Sequence, residues 1–167
     1  GVERPQYAAV PYIQGYDLDA EAGVTRFLQG THGNARPGPY EMVVGVDAAQ
    51  DDLGLAHKLG IDKTPLFREG ERLVVVAPRI ENTALGRTAL MRNASLAGVF
   101  QTNFPDADRM FAYTSLETAR ALFLLGDDHV DGVHLVVRDV DKVDAACAKI
   151  QKALGPEYAV TPWYQRN

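Results

Sequence analysis

Val74 to Phe100 reads VVVAPRIENTALGRTALMRNASLAGVF. Two β-type runs, Leu73 to Ala77 and Ser95 to Gln101, enclose a mixed polar and apolar segment too long for a tight hairpin turn. Val, Leu and Phe favour pleated, half-buried backbone, whereas Pro78 has no N–H to donate and marks where pairing should stop or loosen. The expected object is a two-stranded arm with a long tip, Arg79 to Asn93. That tip carries Ile80, Leu85, Leu90 and Met91 beside Arg79, Arg87 and Arg92, with Glu81 the one opposing charge. A loop of this length either folds back over a sheet face or projects to do something. Burying one Leu or Met against a partner is worth roughly 1.5 to 3 kcal/mol, so three or four such side chains can supply most of a micromolar affinity. The stretch is therefore read in two ways, as an ordinary surface loop lying over a sheet face or, more sharply, as a docking element.

The rest of the composition sets the frame. A chain of 167 residues suits one domain or two small lobes, and 46% apolar with 23% charged residues is ordinary globular composition. The net charge of -5 and the lack of a basic stripe argue against nucleic-acid binding. One cysteine, Cys147, excludes an internal disulfide framework and a multi-cysteine zinc site. No apolar run approaches 18 residues, so no membrane span is expected within these residues. Gly1 stands where an initiator Met is expected, which suggests a piece of something larger.

Outward from the arm, Tyr7 to Tyr16 reads as one or two β-segments interrupted at Pro11, followed by an acidic turn. Val24 to Gly38 reads as a loop. Tyr40 to Val46 is a strand, and Asp47 is placed to cap a helix through Leu59 that stops at Gly60. Ile61 to Gly70 leads into the arm. Beyond it, Asn103 to Asp108 should turn the chain, and Met110 to Tyr113 is a short strand. Thr114 and Glu117 have capping-box spacing ahead of a helical stripe of Leu116, Ala119, Leu122 and Phe123, which ends at Gly126. Val130 to Val137 reads as a strand, and Val140, Val143, Cys147, Ile150 and Leu154 as a helix ending at Gly155. A strand at Tyr158 to Thr161 closes the order. The fold class is α+β: a strand-rich lobe over residues 1–114 carrying the projecting arm, and a smaller helix and strand layer lobe over 115–167.

Catalytic signatures are lacking in the sequence. Neither a Walker A sequence nor a G-x-G-x-x-G turn is present, and no G-x-S-x-G elbow offers an acyl-transfer serine. Asp127, Asp128, His129, Asp131 and His134 cluster, but they read more simply as a solvated turn than as metal ligands. Cys147 falls on the apolar stripe of its helix, as a small buried hydrophobe would. No catalytic residue, cofactor or metal is assigned.

Dispersed blocks carry a resemblance. Leu55-Ala56-His57-Lys58-Leu59-Gly60-Ile61, Gly70-Glu71-Arg72-Leu73, Ala77-Pro78, Leu85-Gly86-Arg87, Ala97-Gly98-Val99-Phe100, Ala112 to Ala119, and Tyr158 to Trp163 with Asn167 occur in one order. Together they resemble the extracytoplasmic domain of ABC-transporter permeases of the lipoprotein-releasing LolC/LolE type, within the MacB/FtsX-like superfamily.

The resemblance implies a periplasmic domain between the first two membrane helices of an inner-membrane permease, with the ATPase and a second permease subunit on separate chains. It implies no enzymatic activity here. It also implies that a hairpin hook binds a LolA-type chaperone, which receives the lipoprotein cargo. Carried onto this chain, the partner-binding residues are Ile80, Thr83, Leu85, Gly86, Arg87, Leu90, Met91 and Arg92. Ala84 and Ala89 stand where LolC-type loops tend to carry proline, which implies a more mobile tip. An additional N-terminal segment is implied beside the lobe of residues 116–163: either it is truncated here or that lobe exposes a partner surface. Two alternatives stand beside this reading. One is a MacB-type efflux or FtsX-type permease domain that binds an adaptor or a hydrolase activator. The other is a small ligand- or metal-binding domain built on Asp127 to His134 and the loop around His32.

Overall fold

The computed structural model describes residues 11–21, 30–47, 69–83, 86–102 and 104–165, with the backbone alone at 77–83, 86–89 and 163. Six strands form one mixed sheet: β1 (Tyr12–Tyr16), β2 (Thr31–Gly33), β3 (Glu41–Gly45), β4 (Arg72–Thr83), β5 (Gly86–Phe100) and β6 (Phe111–Ser115). Their order is β1-β6-β3-β5-β2, with β4 alongside β5. The pairs β1–β6 and β3–β5 are parallel, and the other three are antiparallel. With helices covering part of the sheet, the α+β class expected from the sequence is what the chain adopts. Residues 48–59 of the predicted helix and the segment before Pro11 lie outside the described residues.

Strand β3 sits in the middle and is buried on both faces, which is why Met42, Val43 and Val44 form a continuous apolar run instead of alternating. Met42 packs with Val75, Ala94 and Leu122 on one face. On the other, Val43 packs with Ala97, Phe100 and Tyr113. Helix α1 (Leu18–Glu21) is a single turn, opened by the Asp17 side chain accepting from the Asp19 and Ala20 amides. Helix α2 (Pro105–Met110) occupies the segment read as a turn. Pro105 is compatible with the first helical turn because its missing N–H would be unsatisfied there anyway. Buried Asp108 then holds the preceding chain, accepting from the Thr102 amide at 2.7 Å and the Thr102 hydroxyl at 2.6 Å.

Helix α3 (Leu116–Phe123) covers the face that bears Met42, through Leu122. Its cap is Ser115 and not Thr114: the Ser115 hydroxyl accepts from the Thr118 amide at 3.1 Å. Thr114, one residue earlier, is still in the strand, where its hydroxyl donates to the Glu41 carbonyl. The helix ends before the Gly126 expected from the sequence, because Leu124 takes the left-handed conformation at φ 54. Gly15 explains how closely α3 lies on β1, since a Cβ added there would stand 2.3 Å from that of Ala119. The short strand Thr31–Gly33, within the segment expected to be loop, pairs with the end of β5.

Contacts divide the chain into two units, Gly1–Asp131 and Gly132–Asn167. In the second, a 3₁₀ turn (Val140–Lys142) leads into helix α4 (Val143–Leu154), as the helical stripe predicted, with Gly155 beyond it at φ 87. Cys147 on that helix is half-buried. The expected strand at Val130 to Val137 does not form. Residues 132–137 are irregular, and Val133 and Leu135 are 75% and 62% exposed. β-propensity describes fit to a pleated neighbour, and no ladder reaches this segment among the described residues. The expected strand at Tyr158 to Thr161 is also absent, for a visible reason. The Gln151 side chain takes the place of a neighbouring backbone, its Nε2 donating to the Gly155 and Tyr158 carbonyls and its Oε1 accepting from the Val160 amide.

Candidate docking surface

The arm is longer in its strands and shorter in its tip than the sequence suggested. Strands β4 and β5 pair from Arg72↔Ser95 out to Thr83↔Gly86, so the ladder runs through most of what was read as a loop. Ladder formation there is plausible in physical terms: Thr, Ile and Leu favour pleated backbone, and a hairpin can be closed by very few residues. Pro78 does mark a loosening, since the register shifts between Ala77 and Ile80. Pairing of β5 with β3 begins at Glu41↔Ser95. From Ala94 outward to Gly86, β5 has β4 as its one ladder neighbour among the described residues.

The period of two sorts the base of the arm into two faces. Leu73, Val75, Leu90, Arg92 and Ala94 share the inner face, where Val75 and Ala94 pack with Met42 and Leu122. Arg72, Val74, Val76, Met91 and Asn93 share the outer face. Val74, Val76 and Met91 are 61%, 56% and 60% exposed, and Val76 lies directly opposite Met91. They form one apolar patch flanked by Arg72 and Asn93.

This alternation corrects part of the sequence-based reading. Leu90, expected at an exposed tip, is 4% exposed, because it sits opposite Ala77 on the inner face. Arg92 is half-buried on that same face, and its guanidinium donates to the Met91 carbonyl at 3.1 Å. Met91 is exposed as expected. Ile80, Thr83, Gly86 and Arg87 are brought together in the distal ladder, where Ile80 pairs with Ala89, Asn82 with Arg87 and Thr83 with Gly86. Leu85 lies outside the described residues. Val74 and Val76 were not among the expected docking residues. Reading Arg72 to Val76 for its period of two, with Val75 inward, would have found them.

The sites considered for other chemistry remain separate features. His129 Nε2 lies 3.0 Å from Asp131 Oδ1 at an exposed position, and the Arg120 Nε–H donates to the His129 carbonyl. Among the described residues, no group of three or more His, Cys, Asp or Glu side chains is arranged to hold a metal ion. A half-open pocket of about 120 Å³ is lined by Tyr16, Phe100, Phe111 and Tyr113 among others. Tyr113 donates its hydroxyl to the Ala35 carbonyl and lies 3.0 Å from the Thr31 hydroxyl, and burial raises its pKa above the usual phenol value. No helix among the described residues is long and apolar enough to cross a membrane.

Comparison with known proteins gives a similarity in sequence. No protein-family model matches the chain. It is 24% identical over 138 residues to the lipoprotein-releasing system transmembrane protein LolC of Xylella fastidiosa strain Temecula1, covering 83% of this chain and 30% of that protein. The LolC protein of strain 9a5c matches equally, and that of Neisseria meningitidis serogroup B is 25% identical over 164 residues, covering 86% of this chain and 36% of the relative. The chain thus spans about a third of the length of the curated relatives it matches. The dispersed sequence blocks and these matches agree: this chain is similar over most of its length to LolC transmembrane proteins of lipoprotein-releasing systems.

Proposed function

We propose that this chain is the periplasmic docking domain of a LolC/LolE-type ABC permease, and that its arm holds the LolA-type chaperone which receives lipoprotein released from the inner membrane. The observation that carries the reading is the outer face of the arm, where Val74, Val76 and Met91 stand exposed on strands whose inner face is packed down. Isolated exposed apolar side chains need no explanation, but a contiguous group on a rigid ladder fits a binding surface. The arginines of the distal arm and Arg72 at its base would meet an acidic rim. The domain itself is non-enzymatic in this proposal. Nucleotide hydrolysis belongs to a separate ATPase subunit, and motion of the membrane helices reaches the chaperone through the sheet.

The test is binding between the purified domain and the LolA-type chaperone of the same cell, measured by titration calorimetry. Arg87→Glu and Leu85→Asp should abolish the complex. Met91→Asp should weaken it by about tenfold or more, the scale of losing one buried apolar contact. A wild-type domain that does not bind, or a complex that survives both Arg87→Glu and Leu85→Asp, refutes the assignment.

A further inference from the structure

We infer that Pro78 and Arg79 form a joint in the arm, about which the distal ribbon, Ile80–Thr83 with Gly86–Ala89, pivots as a unit. Ala77 pairs with Leu90 and Ile80 pairs with Ala89, so β5 runs on without interruption while β4 carries two additional residues at the same level. Such a bulge breaks the ladder locally and bends the strand that holds it, and Pro78 lacks the N–H with which the ladder might be mended. The two sides of the bulge differ in what holds them. On the body side, Leu73, Val75 and Ala94 are seated against Met42 and Leu122, and Leu90 is buried. On the far side, the ribbon has no third strand among the described residues. An isolated two-stranded ribbon gains little stability of its own and takes its direction from its root.

The arithmetic of the bulge sharpens the inference. Side chains alternate with a period of two, so an insertion of two residues leaves inward and outward positions in step on either side. Direction is changed while the facing of the side chains is kept. The existence of the joint does not depend on what the arm binds; its use, letting the tip search for a partner while the base stays fixed, rests on the docking proposal.

Deleting Pro78 and Arg79 together makes Ala77 and Ile80 neighbours opposite Leu90 and Ala89, which yields an uninterrupted ladder in the same facing. Spin labels on the exposed body residue Glu117 and on Thr88 in the distal ribbon report the pivot as a distance distribution. The ribbon from Ile80 to Thr83 is about 10 Å long, so the deletion should shift the mean distance by several ångströms and narrow the spread about twofold. A spread equal in width before and after the deletion overturns the joint. Amide hydrogen exchange on the unaltered protein gives a second test that does not depend on the deleted form folding. Protection should drop in one step of at least tenfold between residues 73–76 and residues 80–83. A smooth gradient from base to tip overturns the inference, whereas failure to bind a chaperone leaves both measurements unaffected and refutes the docking proposal alone.

Discussion

Gly15→Ala sets a methyl group where Ala119 already sits. The added Cβ would lie 2.3 Å from the Ala119 Cβ and 3.4 Å from the Leu116 Cα, whereas carbon atoms pack at about 3.5 to 4 Å. Strand β1 and helix α3 must therefore part by about 1 Å or more along that line. The helix is not free to yield, because its other contacts hold it to the sheet. Leu122 is buried with Met42 and Val75, and the Thr118 hydroxyl accepts from the Tyr40 amide at 3.1 Å. Overpacking of this kind costs about 1 to 3 kcal/mol. Set against it is a gain of about 0.4 to 1 kcal/mol from a stiffer unfolded chain, since Gly15 is not one of the positive-φ glycines. The net expectation is a loss of about 1 to 2 kcal/mol, read as a lower urea midpoint at unchanged slope. Ala119→Gly alone should cost about 1 kcal/mol through helix propensity. Combined with Gly15→Ala it removes the clash, so the pair should be more stable than the sum of the single changes by about 1 kcal/mol or more. A Gly15→Ala protein as stable as the wild type, or strict additivity in the double variant, refutes the packing argument.

Two further outcomes follow from the same lobe. Ser115→Ala removes the acceptor for the Thr118 amide and should cost about 1 kcal/mol in urea unfolding, with Ser115→Asn close to wild type; equal losses in both would show that the cap is not the cause. Tyr113 has its pKa raised, chiefly by burial, with the bond to Thr31 acting in the opposite sense. The unfolded phenol gives up its proton near about pH 10 and the folded one holds it to higher pH, so the stability this group contributes is intact below about pH 10 and is lost as pH rises through the folded value. Tyr113→Phe should flatten the alkaline limb of stability against pH, and an identical limb in both proteins would contradict the assignment.

Much of the fold was legible wherever an element depends on its own residues. The segment Tyr40 to Val46 announced a strand, the helical stripe from Val140 to Leu154 announced its helix, and Pro78 marked the break in β4. Elements that depend on distant residues were not. Val130 to Val137 has strand composition but no strand beside it among the described residues, and Tyr158 to Val160 is held by Gln151, whose role becomes visible only once the chain has returned to it. Helix α2 was missed because Pro105 was taken as a turn former when it occupies a first helical turn. In the arm, charge and apolarity were counted residue by residue. That located the arm but assigned Leu90 to the surface, where alternation from Val75 across the register places it inside.

The same alternation explains how one hairpin can be both anchored and available. Two strands by themselves are marginal in water, so a ribbon that presents apolar residues to a partner needs its other face stabilised first. Leu73, Val75, Leu90 and Ala94 meet that need by going inward, and each inward residue fixes an outward neighbour in position. Val74, Val76 and Met91 are therefore exposed on a backbone that is already ordered. Under the docking proposal, little conformational entropy would remain to be lost on covering them, so more of their burial would appear as affinity. Moving the register by one residue would exchange the faces, exposing the inner set and burying Met91 and Val76. The residues that hold the arm down and the residues left exposed are thus set by a single choice of register.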